Sequence, residues 1–414
     1  MIPRISRFGA LIGLLTLLAG CQTMASANMQ ATSDPEPPPE AVSSQVDLAR
    51  IQHFMDAAVE QGRIPSSIAM IARDDELLFL ETAGEMGPGV PMQRDAIIPL
   101  ASLGKMYTAT AAMILVERGV IALDDPVSRF IPEFADSMAG EVDQDGDVSL
   151  VPLAAPVTVR HLLTHTGGLY VRGNSYWDVW NVHAGETTTT DFARALAALP
   201  FASQPGTSFD YGYTGGSYEV LAAVIEIASG QTLEALMAEN IFEPLGLEDT
   251  YFYIPVEKQD RLPAFYRIVD GALELDRARG DEYPRTTYFF GGGGVKSSAH
   301  DIQRFARLFL NGGSIDGVQI LRAETVSMMM TDQLGEIVAF DGRSGWGFGA
   351  GVQPNTSDGV SGTSTYGWDG GGYAVLWVDP ELELIAYFIA PLSSPGDYEL
   401  LAEYRQLVDE LFEE

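Results

Sequence analysis

A chain of 414 residues, 46% hydrophobic and 20% charged, can bury the core of one large mixed domain or two closely packed ones; this composition argues against a small stapled scaffold and against general disorder. Lys and Arg total 24 against 57 Asp and Glu. The resulting formal charge of -33 repels polyanions, and with no concentrated basic stripe it argues against nucleic acid as a partner.

The N-terminal stretch "MIPRISRFGALIGLLTLLAGCQTMAS" carries Arg4 and Arg7, an apolar run from Phe8 to Ala19, then Gly20 and the sole cysteine, Cys21. An apolar run of about a dozen residues is short for a bilayer span and suits an export signal. The segment "LAGC" at 18–21 resembles the lipobox of bacterial lipoproteins, which implies a signal peptide over 1–20 and a lipid-bearing Cys21. No cysteine would then remain for a disulfide. By the same resemblance, Gln22 in place of Asp implies an outer-membrane lipoprotein facing the periplasm, with membrane contact through the lipid only. The alternative is an ordinary secretory signal with an incidental cysteine. Residues 21–45 read as a tether, because the prolines of "ATSDPEPPPEAVSS" at 31–44 remove donors and restrict their neighbours.

The folded body is expected over 46–414. "QVDLARIQHFMDAAVEQG" has an apolar face at helical spacing and ends at Gly62, and "SSIAMIARDDELLFLETAG" reads as an antiparallel hairpin turning at Asp74-Asp75. The other end mirrors it: two strand-like runs around Pro380-Glu381, then the amphipathic helix "DYELLAEYRQLVDELFEE". These patterns predict an α/β fold whose antiparallel sheet is assembled from both ends of the chain and flanked by helices. The middle then forms a mostly helical lobe, with helices predicted at 102–118, 191–198, 217–228, 232–239 and 299–310. Ser298 and Asp301 have capping-box spacing for the last of these. No fixed-period repeat is present.

Two middle segments invite separate readings. "EVDQDGDVSL" at 141–150 concentrates acids without the spacing or the closing Glu of an EF-hand, so a surface loop is expected. Trp177 and Trp180, within 170–190, either line a groove as a lid or pin a loop.

"IIPLASLGKMYTATAAMILVERG" at 97–119 places Ser102 three residues before Lys105 at the start of an apolar helix. One reading makes Ser102 the cap and Lys105 a snorkelling charge. In the other, burial favours a neutral lysine able to accept the serine proton, while the helix N-terminus favours negative charge on the serine oxygen. The local pattern leaves both open.

"ASLGKM" resembles the nucleophile motif of the serine beta-lactamase and penicillin-binding protein superfamily. "VTVRHLLTHTGGL" at 157–169, "PGTSFDYGYTGGSYEVLAAVIE" at 205–226, "FFGGGGVKSSAHDIQRFARLFLNGG" at 289–313, "GWGFGAGV" at 345–352 and "YGWDGGGYAVLWVDP" at 366–380 resemble successive segments of its beta-lactamase-related branch, the family VIII carboxylesterases. The resemblance spans about 46–414 and implies a beta-lactamase/transpeptidase-like fold with the active site between two lobes. It further implies Ser102 as nucleophile, Lys105 and Tyr211 as a coupled base system, and an oxyanion hole made by the Ser102 and Gly371 amides. Gly370 and Gly372 would let the strand approach a substrate closely, with Tyr213 and Trp368 as further substrate contacts.

Two departures bear on substrate. The middle motif commonly reads Tyr-x-Asn, whereas here Tyr213 follows Tyr211 and Gly212, so both functions of the amide are missing. The third motif reads Trp368-Asp369-Gly370 in place of Lys-Thr-Gly, so an anionic beta-lactam loses a cationic anchor while a neutral ester loses little. The expected function is hydrolysis of a small carboxylic ester through a covalent acyl-enzyme, with no cofactor. A beta-lactamase or D-amino-acid peptidase and a catalytically silent envelope binding protein stand as alternatives. His161 and His165 lack a third ligand or an HExxH pattern, so no metal is expected; they read as packing and hydrogen-bonding residues near the site.

Overall fold

The computed structural model describes residues 46–142, 148–169, 188–211, 216–340, 342, 344–354, 364–393 and 395–412. The expected signal peptide, Cys21, the tether, Trp177, Trp180 and Tyr213 lie outside the described residues.

Helix α1 (Ala49–Glu60) buries Ile51, Met55 and Ala58 at helical spacing and leads into strands β1 (Ser66–Arg73) and β2 (Glu76–Gly87). Asp74 and Asp75 make their two-residue turn, both at positive φ (51° and 64°), a conformation that short polar side chains tolerate and that matches strand twist. After the short β3 (Val90–Pro91) the chain leaves the sheet and returns as β4 (Gly345–Trp346), β5 (Gly351–Pro354), β6 (Ser364–Gly370), β7 (Ala374–Asp379) and β8 (Leu384–Ile389). The eight antiparallel strands lie in the order β4-β5-β6-β7-β8-β1-β2-β3, so the last strand pairs with the first, Ile389 opposite Ile68. The expected sheet built from both ends is the one observed.

Every residue of β7 and β8 is buried, as their near-continuous apolar runs require of strands covered on both faces. Register and the two-residue side-chain period put Trp377 and Phe388 on one face and Tyr366, Trp368 and Tyr387 on the other. The first face is covered by α1 and the closing helix Tyr398–Phe412: Phe54 packs on Phe388 and Tyr404, and Trp377 meets Tyr404 edge-on. Against the second lies helix Ala299–Leu310, whose Phe309 meets Tyr366 at 5.0 Å.

Helix α2 (Gly104–Glu117) is buried continuously from Gly104 to Leu115, the environment demanded by a helix whose residues are mostly small or apolar on every face. Its Tyr107 stacks on Phe305 at 3.6 Å. The helical lobe adds α3 (Val159–Leu163), α4 (Thr189–Ala197), α5 (Ser217–Ser229) and α6 (Leu233–Met237); in chain order Ala299–Leu310 is α7, Ala323–Met329 α8 and Tyr398–Phe412 α9. Gly230, at φ 72°, ends α5 in the left-handed conformation that glycine adopts without strain.

Three local expectations change. The acidic segment at 141–150 is flanked by paired strands, Met138–Val142 with Val148–Pro152, because alternation on either side supports a hairpin. Ser298 does cap α7 by accepting from the Asp301 amide, but the Asp301 carboxylate instead accepts from the Asp249 amide and Thr250, so the box does not close. Ser102 does not cap α2: the cap position is Leu103, without a side-chain bond, and Ser102 sits one step earlier in a 3-10 turn, Ala101–Leu103.

Candidate active site

Ser102 is presented by a strained turn. Ala101 adopts φ 46°, a left-handed conformation costing a non-glycine residue about 1–3 kcal/mol, and its surroundings hold it there. On one side the Leu100 amide donates to the Val295 carbonyl at 2.9 Å. On the other, Gly293 lies so close that a Cβ on it would sit 2.8 Å from the Ala101 carbonyl oxygen. The glycine run 291–294, which has no phosphate-loop spacing, is thus a bare backbone wall against the nucleophile turn.

Lys105, one turn on, has Nζ 2.9 Å from Ser102 Oγ and donates to the Gly292 carbonyl at 2.8 Å. It is 9% exposed, and burial pulls its ammonium down to about 8 against the opposing fields of Glu219 and Asp369. From the usual 10.5 that corresponds to about 3 kcal/mol disfavouring the charged form. A neutral amine in this position donates one hydrogen to Gly292 and keeps its lone pair for the serine proton.

Tyr211 comes from the helical lobe. Lys105 Nζ lies 5.3 Å from its ring centroid, and Trp368 Nε1 donates to its hydroxyl oxygen at 2.6 Å. The indole N–H holds Tyr211, where a donor aimed at the oxygen supports negative charge on it. Phe209 and Trp346 complete an aromatic wall, with centroids 6.3 and 5.2 Å from the Tyr211 ring.

Glycine in the third motif serves the scaffold. A Cβ on Gly370 would stand 2.6 Å from the Leu100 carbonyl, and one on Gly372 would strike Tyr398 and the Gly396 amide. The atoms crowding both positions belong to the turn that carries Ser102 and to the C-terminal segment. Gly371, at φ 62°, is thereby held beside the turn that carries Ser102, since β6 and that turn pack together.

The two histidines divide. His161 closes a capping box with Thr158 at the start of α3 and has no role at Ser102. His165 is 3% exposed at φ 55°, both ring nitrogens buried without a partner, and its ring packs on Tyr218 and Tyr211 at 5.0 and 4.8 Å. Burial, with Lys105 adding repulsion, holds this imidazole well below its ordinary range and therefore neutral. Hydrogen bonding was expected of it; its backbone does that instead, accepting from the Asp210 amide at 2.8 Å next to Tyr211.

Two carboxyls escaped the sequence reading as site residues. Glu219 on α5 is 5% exposed, and burial pushes it up to about 7 even with Lys105 favouring its ionised form. Its Oε1 is 2.8 Å from where a Gly292 Cβ would be, against the backbone that holds Lys105. Asp369 is likewise raised by burial, with the Gly372 amide and Lys105 opposing. The available signal was the single charge within "SYEVLAAVI", because a lone acid inside a wholly apolar helical stretch needs a partner.

The family described as Beta-lactamase matches residues 50–410, and the chain belongs to it. An uncharacterized protein of Mycobacterium tuberculosis is 32% identical over 371 residues, covering 82% of this chain and 88% of that protein. Esterase EstB of Burkholderia gladioli is 32% identical over 281 residues, 62% of this chain and 68% of its own length. Among solved structures, "EstCE1, a hydrolase with promiscuous acyltransferase activity" superimposes with a TM-score of 0.73 at 25% identity, covering 87% of this chain and 97% of that one.

Proposed function

We propose that the protein is a serine hydrolase that cleaves small carboxylic esters through a covalent acyl-enzyme. The observation that carries this is Lys105 Nζ, 2.9 Å from Ser102 Oγ in a buried site that favours the neutral amine. Ser102 Oγ attacks the ester carbonyl as its proton passes to Lys105, and the carbonyl oxygen takes up negative charge toward the Ser102 and Gly371 amides. Lys105 and Tyr211 return the proton to the departing alkoxide, so the C–O bond breaks to give free alcohol and acyl-Ser102. Water then attacks the acyl group, losing its proton to the same pair, which passes it to Ser102 Oγ as the acyl–oxygen bond breaks and the acid leaves. The similarity to EstB and EstCE1 supports ester chemistry, as does Trp368 where a cationic strand residue would hold an anionic beta-lactam.

The test is stopped-flow hydrolysis of a small chromogenic ester across pH. Acylation should give a burst of one equivalent per chain, its rate climbing about tenfold per pH unit below 8 and levelling above, because only unprotonated Lys105 accepts the serine proton. Glu219, pushed up to about 7, ionises before Lys105 deprotonates and its charge retains the ammonium's proton. Glu219→Gln should therefore move the rising limb to lower pH. No burst, or a rate flat between pH 6 and 8, would contradict the assignment.

We further propose that Cys21 carries a lipid anchoring the protein in a bacterial envelope, on the strength of "LAGC" after a charged and then apolar start. Cys21→Ala should shift the protein from the membrane to the soluble fraction; equal membrane recovery of the two would refute the anchor.

A further inference from the structure

Beside Tyr211 lies an apolar surface that the proposed chemistry does not use. Phe340 is 51% exposed, yet sits at φ 46°, a strained value for an aromatic residue. Its ring stacks on Trp368 at 5.1 Å and meets Tyr211 and Phe209 edge-on at 5.7 and 4.9 Å. It therefore covers the pair joined by the Trp368–Tyr211 hydrogen bond. Two residues earlier Val338 is 70% exposed, and beside it opens a cleft of about 710 Å³ lined by Phe209, Leu334, Ile337 and Val338 together with the polar segment 206–208 and Glu336. Phe209, parallel to Tyr211, joins that cavity to the aromatic wall.

Adjoining exposed apolar side chains beside a cleft with a few polar groups mark a place where a ligand binds. The direction of the proposed chemistry says what. Tyr211 returns a proton to the leaving oxygen, so the group attached to that oxygen lies on the Tyr211 side of the carbonyl, against Phe340 and Trp368. Glu336 at the cavity border and the charge of -33 disfavour an anionic group there.

We propose that Phe340, Val338 and Phe209 form the subsite for the alcohol portion of the ester, and that it takes a bulky, neutral arylmethyl alcohol whose ring packs on these side chains. This rests on the esterase reading of Ser102 and Tyr211. It adds a specificity determinant, the segment 334–340, on the leaving-group side.

Three acetates separate the two claims: ethyl, benzyl and 2-naphthylmethyl acetate share one acetyl-enzyme and differ only in the alcohol. For the wild type, kcat/KM should rise at least roughly tenfold from ethyl to naphthylmethyl. Phe340→Ala and, independently, Val338→Asp should each cut that ratio by roughly tenfold, mainly through KM, while Phe340→Trp retains it. Val338 is mostly exposed, so the aspartate should leave the thermal melt in place and keep the comparison clean. Equal kcat/KM across the acetates, or a ratio untouched by both variants, overturns the subsite while leaving the esterase standing. Failure of all three acetates to acylate Ser102 overturns both.

Discussion

Ser102→Ala is expected to abolish ester turnover, with kcat falling at least about 10⁴-fold, while the protein folds and melts as the wild type does. The magnitude follows from the covalent route: without Oγ no acyl-enzyme forms, and the remaining polarising amides cannot replace a nucleophile. Little structure depends on the hydroxyl, since it caps no helix and its contact is with Lys105. Turnover within tenfold of wild type in this variant would place the nucleophile elsewhere.

Lys105→Met should also lose activity, by about 10³-fold, within the range for removal of a general base. Its effect on stability separates catalysis from packing. Burial lowers the Lys105 pKa from its ordinary 10.5 to about 8, so the native state binds fewer protons than the unfolded chain between those values. On that contribution wild-type stability rises with pH from about 8 to 10.5, and Lys105→Met lacks the rise. At pH 7 the substitution relieves about 3 kcal/mol of unfavourable burial and gives up a hydrogen bond to Gly292 worth about 1 kcal/mol, together with the contact to Ser102. The variant should therefore melt no lower than wild type while being nearly inactive, the signature of a residue kept for function at a cost in stability. Urea denaturation at pH 7 and pH 10 measures both; a large loss of stability at pH 7 would mark Lys105 as structural.

Much of this architecture is legible in local patterns. The β1–β2 turn at Asp74-Asp75, the buried runs of β7 and β8 and the mostly apolar α2 each encode their structure within a few residues. The three-residue step from Ser102 to Lys105 is equally local, and the two side chains do meet. Contacts made across the fold are different. Gly292 is 187 residues from Lys105 and Trp368 is 157 from Tyr211, and nothing in their flanking sequence states that a carbonyl would hold the amine or an indole the phenol. The reading of Ser102 as the helix cap failed because a strained turn at Ala101 moves it ahead of the cap position. Gly370 and Gly372 were marked as places for close approach, and atoms of the chain itself crowd both positions.

The site that emerges couples two lobes. Ser102 enters on the 3-10 turn ahead of α2 and Lys105 on the first turn of α2, Tyr211 from the helical middle of the chain, and Trp368 from the sheet, where its hydrogen bond to Tyr211 ties strand to lobe. Phe340 then covers that link from outside. On the proposed reading, proton handling and alcohol recognition fall on adjoining faces of one aromatic cluster.

The most direct test is to trap the acyl-enzyme and locate it. The full chain would be mixed with a neutral aryl ester, a D-amino-acid amide or a penicillin, quenched in acid within the burst, digested and mapped by mass spectrometry. The prediction is an acyl group on Ser102 from the ester, formed faster than any adduct from the other two and missing in Ser102→Ala. An adduct on another residue, or a chain left unmodified by the ester yet labelled by the penicillin, would contradict it.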